Sequence, residues 1–180
     1  VSDFLKIGTD AGSIESLHNA ANQYMEQGHY RLAERLFRRA VQMCRRHLGP
    51  DSITTLVMRS AHATAVGNTG RYREALSLFQ ALLPDMERDL GPYHPDTLTT
   101  RNNLAGWTGK TGDAARAMEL SQALLPDMER VLGADHPDTL RTRNNIAAWT
   151  GQTGDAARAL ELLQTLLPDM ERVRGRDHPD

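Results

Sequence analysis

His94 to Gly133 reads HPDTLTTRNNLAGWTGKTGDAARAMELSQALLPDMERVLG, and 42 residues later the same stretch is written again. Aligned without a gap, residues 93–134 and 135–176 agree at 32 of 42 positions. The period extends through the whole chain. Gly28, Gly70, Gly112 and Gly154 share one column, Ala33, Ala75, Ala117 and Ala159 another, and Gly49, Gly91, Gly133 and Gly175 a third. A period of this length marks a supersecondary unit that cannot bury its apolar face alone and is completed by stacking on its neighbours. Function is then expected on a surface shared by several units, not in one enclosed pocket.

Within a unit, Leu98, Leu104, Ala105 and Trp107 recur at helical spacing, and so do Ala117, Leu120, Leu124 and Leu125. Pro95 suits a first helical turn because its missing N–H has no partner there, with His94 or Asp96 as cap. Ser52, in the column of His94, supports the same start. Gly112 suits the left-handed residue that ends the first helix, and Asp113 caps the second. Each unit is therefore helix, tight turn, helix. Pro84, Pro126 and Pro168 fall inside the second helices, where proline predicts a bend or break; the first unit has Gln42 there, so its helix from about Tyr30 to His47 is expected to be straighter.

These signals predict an all-α solenoid of stacked antiparallel helix pairs. Residues 1–12 read as the tail of a preceding helix and a linker, followed by repeats at 13–50, 51–92, 93–134 and 135–176. Residues 177–180 read as the start of a fifth repeat, so the chain is expected to be a fragment of a longer protein, and self-association through uncapped repeat ends is a further expectation.

The 180-residue chain has 21 basic and 23 acidic side chains, a formal charge of −2, so no long-range field gathers nucleic acid or an anionic membrane. No apolar stretch approaches membrane-spanning length. Cys44 is the sole cysteine and nothing reads as a signal sequence, which together fit a reducing, cytoplasmic setting. Gly109-Lys110-Thr111 lacks the upstream glycine of a phosphate loop, Leu104 standing in its place. His94, His136 and His178 sit in successive units, roughly 10 Å apart or more, too far to share one metal. No acid, base, nucleophile or metal set converges, so neither catalysis nor a cofactor is expected.

The Asn-Asn-Leu-Ala of 102–105, the Asn-Asn-Ile-Ala of 144–147, the Gly-Asp pairs of 112–113 and 154–155, the four-alanine column and the linker of 132–139 together resemble the tetratricopeptide repeat, in its 42-residue form known from kinesin light chains and bacterial signalling NTPases. The resemblance implies a right-handed superhelical solenoid and a non-catalytic module, whose first helices line a concave channel for a peptide or helix of a partner protein. The alternative it leaves open is a regulatory arm of a larger signalling NTPase or transcription regulator, with the channel used in autoinhibition.

Carried over column by column, the channel residues are Asn102, Asn103, Asn144, Asn145, Arg141 and Lys110, with His18, Asn19 and Asn22 in the first repeat. Asparagine offers both donors and an acceptor, so it can grip a peptide backbone without reading sequence. The competing role is to tie neighbouring helices, and the first asparagine of each pair is favoured for ligand. His18 stands where a carboxylate clamp needs lysine, which argues against a clamp. Arg59, Arg101 and Arg143 form a ladder expected to pair with Glu87, Glu129 and Glu171, with recognition of acidic peptides as the alternative. Trp107 and Trp149 are expected to pack between repeats more than to anchor ligand.

Overall fold

The structure, a computed structural model, describes residues 2–176, with side chains from 12 to 173. The described residues form eight α-helices and no strand, and none of these helices is long and apolar enough to cross a membrane. The chain divides into two compact units, Val1–Gly91 and Pro92–Asp180. Each is a stack of two helical hairpins. His178 lies outside the described residues.

The first unit contains α1 (Ser2–Glu26), α2 (Tyr30–His47), α3 (Ile53–Asn68) and α4 (Tyr72–Asp89), each packed on the next. Its core is set by α2, where Ala33, Phe37, Ala40 and Cys44 fall on one helical stripe and meet Ile14 and Ala21 of α1 and Met58 and Ala65 of α3. Full burial of a side chain the size of Phe37 contributes about 2–3 kcal/mol. Moved on by 42 residues, that stripe becomes Ala75, Phe79, Leu82 and Met86 of α4, all buried. The expected linker near residue 12 is not present: α1 runs unbroken from Ser2 to Glu26. Gly8 and Gly12 lie inside it, since the segment has no proline and no capping sequence strong enough to end a helix.

The second unit contains α5 (Pro95–Lys110), α6 (Ala114–Leu132), α7 (Pro137–Gln152) and α8 (Ala156–Arg176). Here α6 packs on both α5 and α7, and α5 also touches α7. The α6 stripe shows what the following hairpin does. Met118 and Met128 receive the hydroxyls of Thr150 and Thr142 from α7, at 3.6 and 3.0 Å to sulfur, and Ser121 and Met128 are fully buried. In the same columns of α8, Leu160, Leu163 and Met170 are 57, 41 and 37% exposed, because no further helix follows among the described residues.

Turns and caps follow the sequence signals closely. Gly112 takes φ 107° and Gly154 φ 106°, a region costly for any residue with a Cβ. The next residues, Asp113 and Asp155, return their N–H to Thr108 and Thr150 of the helix just ended. Their carboxylates then accept the N–H of Arg116 and Arg158 at 3.0 Å, opening the second helices. Ser52 accepts from the Thr55 N–H. His94 and His136 cap through Nδ1, which accepts from the N–H of Asp96 and Asp138 at 3.2 Å.

Of the bend or break expected at the prolines, a break is not present: the helices α4, α6 and α8 run continuously through Pro84, Pro126 and Pro168. Each proline and the residue four before it, Gln80, Gln122 or Gln164, is exposed, so water can take the carbonyl that loses its donor. The arginine ladder is internal, but Arg59 meets Asp85 and Arg143 meets Asp169, each at 2.8 Å, two residues before the glutamates expected. A shift of two residues turns a side chain about 200° around the helix, which explains the change of partner. The hydrogen bond from Arg59 holds the Asp85 carboxyl below the usual carboxylate range.

Helix spacing inside the second unit is set by Gly109. A Cβ built there falls 2.6 Å from the ring of Trp149, whereas one at Gly106 meets only Asn145 Nδ2 at 3.9 Å. Gly106→Ala should therefore stabilise the fold by up to about 1 kcal/mol through helix propensity. Gly109→Ala should instead destabilise it by about 1–3 kcal/mol through overpacking. Urea denaturation of the two variants checks the opposite signs.

His62, half-buried on α3, has Nε2 without a partner among the described residues. Burial pushes its pKa below the ordinary value, while Glu34 and Glu74 pull it up and Arg38 and Arg71 push it down. The unfolded chain takes up this proton below about pH 6.5 and the folded chain resists it. The His62 contribution to stability is thus whole above that pH and declines below it. Between about pH 7.5 and 5.5 the urea midpoint should fall further in the wild type than in His62→Gln.

Candidate functional site

In the second unit, the shared partner α6 holds α5 and α7 side by side, and a concave pocket of about 330 Å³ opens along their flanks. From α5 it takes Asn102, Asn103, Gly106, Trp107 and Lys110, and from α7 Arg141, Asn144, Asn145, Ala148, Trp149 and Gln152. On each helix these residues recur at steps of three and four, one face of the 3.6-residue turn. Six channel residues expected from sequence, the four asparagines with Arg141 and Lys110, are thus brought to one surface.

Their roles differ. Asn102 is 1% exposed. With its amide turned so that the oxygen meets donors, it accepts from Arg141 Nε at 3.1 Å and Nη2 at 3.3 Å, and its N–H donates to Thr142 Oγ1 at 3.1 Å. In the opposite orientation it accepts from Asn145 Nδ2 at 3.4 Å. Either way it ties α5 to α7, the role weighed against ligand contact. Asn144 occupies the same repeat column but is exposed, and Asn103 and Asn145 are half-buried at the pocket wall. Arg141 is also held by Asp138, at 3.0 Å, and Asp138 accepts the Thr99 hydroxyl at 2.8 Å. Its charge is therefore largely answered from within. Lys110 is exposed and makes no ion pair among the described residues.

The tryptophans divide in the same way. Trp149 is 4% exposed, with its ring against Gly109 and its indole N–H unpartnered among the described residues, which is the packing role. Trp107 is half-buried and presents part of its ring to the pocket. The sequence signal for it was available: Trp107 lies four residues after Asn103 and three before Lys110, on the same helical stripe. Gly109 was missed because its importance depends on a ring from the next repeat.

His18, Asn19 and Asn22 belong to the first unit. His18 lies edge-on to Phe37, with ring centroids 6.0 Å apart, and its Nε2 accepts from Asn22 Nδ2 at 2.9 Å. Asn19 is exposed. Asn22 thus engages one ring nitrogen of His18 along α1, while His18 Nδ1 is buried without a partner among the described residues.

The second-unit pocket supplies amide donors and acceptors, the partly exposed face of Trp107 and two cations, Lys110 and the Asp138-paired Arg141. Among the described residues no group of three His, Cys, Asp or Glu side chains is placed to hold a metal.

Solved structures of similar fold include a kinesin light chain-type protein of Podosopora anserina with nearly identical TPR-like repeats, at TM-score 0.72 and 23% identity, covering 88% of this chain and 75% of that one. BtubC (BKLC) from P. vanneervenii matches at TM-score 0.69 and 17% identity, covering 93% of this chain and 66% of that one. RapI in its apo form matches at TM-score 0.71 and 12% identity, covering 92% and 57%. At these identities the likeness shows the fold alone. No curated protein matches the sequence. The tetratricopeptide repeat profile matches residues 12–84, 54–126 and 109–172, and repeats of this kind generally serve as protein–protein interaction modules. With that profile spanning nearly the whole chain and two-hairpin stacks in each unit, this chain belongs to the tetratricopeptide repeat family.

Proposed function

We propose that the pocket between α5 and α7 receives an extended or helical peptide of a partner protein. The observation that carries this reading is the row of half-buried and exposed amides, Asn103, Asn144 and Asn145, facing one pocket beside Trp107 and Lys110. Amides satisfy backbone N–H and C=O groups whatever the side chains, and a partly exposed tryptophan supplies the kind of anchor enriched in binding hot spots. Lys110 favours a peptide with a carboxylate near that end of the pocket. Asn102 and Arg141 shape the wall, their own polar groups being engaged with each other. The lone buried Cys44, whose thiol pKa burial pushes up, suits a reducing compartment.

A random peptide display library panned on the intact chain supplies the probe. The selected peptide, fluorescein-labelled, should bind Lys110→Ala/Asn145→Ala about tenfold or more weakly than the wild type, a loss of about 1.4 kcal/mol or more. Tryptophan emission should change on binding. Unaltered affinity in that double variant removes the pocket assignment.

A further inference from the structure

The second helix of the first repeat differs from its three counterparts in charge. Arg31, Arg35, Arg38, Arg39, Arg45 and Arg46 are all exposed on α2, with Glu34 as the helix's one acid. The repeat does not require these arginines. The Arg35 column holds Ser77, Glu119 and Glu161 in later repeats, and the Arg45 column holds Glu87, Glu129 and Glu171. Nor does the fold neutralise them. Among the described residues only Arg38 pairs, with Glu34 at 3.4 Å, and Glu34 is also taken by Arg71 from the turn before α4. Arg46 shows the contrast best. Its counterparts Arg88, Arg130 and Arg172 all form ion pairs with nearby aspartates, whereas Arg46 forms none among the described residues.

Arg31, Arg35, Arg38, Gln42 and Arg45 are spaced by four, three, four and three residues, a single outward row about 21 Å long at 1.5 Å rise per residue. The row borders a real depression. One groove of about 370 Å³ is lined by Arg31, Arg35, Arg38 and Arg71 together with Thr69 and the single carboxylate of Glu34. A second, of about 400 Å³, shares Arg31 and Thr69 with it and adds Tyr30 and Leu32, the latter 43% exposed.

We propose that this face of α2 is a docking surface for an acidic segment of a partner protein. Unpaired guanidinium groups present flat donor forks that take carboxylates bidentately. The adjoining Leu32 and Tyr30 give an apolar side chain a seat, which suits a polypeptide and not a phosphate backbone. A chain of formal charge −2 also lacks the wider field that would hold a long polyanion.

The probe is a fluorescein-labelled glutamate-rich peptide carrying one leucine, titrated into the intact chain and followed by anisotropy. A lysine-rich peptide of equal length, duplex DNA and phosphatidylserine vesicles are run alongside. The Arg35→Glu/Arg45→Glu variant carries the residues that Glu119 and Glu129 supply to the third repeat, so its fold should survive, checked by circular dichroism. Expected are selective binding of the glutamate-rich peptide, an affinity loss of about tenfold or more in that variant, and weakening with added salt. Binding that is lost in Lys110→Ala but kept in Arg35→Glu/Arg45→Glu would assign the peptide to the pocket of the second unit and overturn the proposal. Equal affinity in a folded double variant overturns the proposal, as does tighter binding of DNA or vesicles than of the peptide.

Discussion

A helical hairpin of this chain carries an apolar stripe that its own two helices cannot close, and the following first helix closes it. The second unit displays both conditions. On α6, Ser121 and Met128 disappear beneath α7, while Leu160, Leu163 and Leu167 of α8 remain open where no helix follows among the described residues. Covering a leucine is worth about 1.5–3 kcal/mol, so a few such residues hold one hairpin on the next against the entropy of ordering it. Hydrogen bonding adds direction: the threonines of α7 aim at methionine sulfur on α6. Turns and caps then fix where each helix begins and ends.

Once α5 and α7 are both seated on α6, their flanks must face each other, and the pocket follows from that seating. Its dimensions depend on two glycines. Gly109 admits the Trp149 ring, which keeps the two helices close, and Gly106 leaves the floor open beside Asn145. The buried Asn102 locks the pair by meeting Arg141 and Thr142. What remains on the wall is a set of amides with spare hydrogen-bonding capacity, one partly exposed indole and an unpaired ammonium. On the proposed reading, these groups hold a peptide backbone and favour an acidic end.

The sequence was most legible where a residue acts within its own repeat. The 42-residue period, the glycine turns and the aspartate and histidine caps could be read from spacing, because they depend on local backbone geometry, whereas the channel face of each first helix came only from the family resemblance. It was less legible where a neighbour decides. Asn102 and Asn144 have the same identity and the same column, yet one is buried and bonded and the other exposed, since among the described residues a following hairpin packs only against the first. Gly109 and Trp149 likewise become partners only across repeats. The prolines do not break their helices because the carbonyl that loses its donor faces water, where the cost of the missing bond is small. Arginine partners turned on a two-residue rotation around a helix, finer than pairing by charge alone resolves.

The same division explains why α2 can differ so sharply in charge. Its inward column, Ala33, Phe37, Ala40 and Cys44, stays apolar and buried as Ala75, Phe79, Leu82 and Met86 do in α4, because packing against α1 and α3 demands it. Its outward column has no such demand, and glutamate there in later repeats becomes arginine in the first. Gathering like charges on one helix costs repulsion, of order a few tenths of a kcal/mol for each pair three or four residues apart. That cost is not relieved within the described structure, where a single buried glutamate already serves two arginines. A carboxylate-rich partner relieves it on binding. The repulsion stored along α2 is therefore a contribution to affinity that a neutral helix of the same shape would lack.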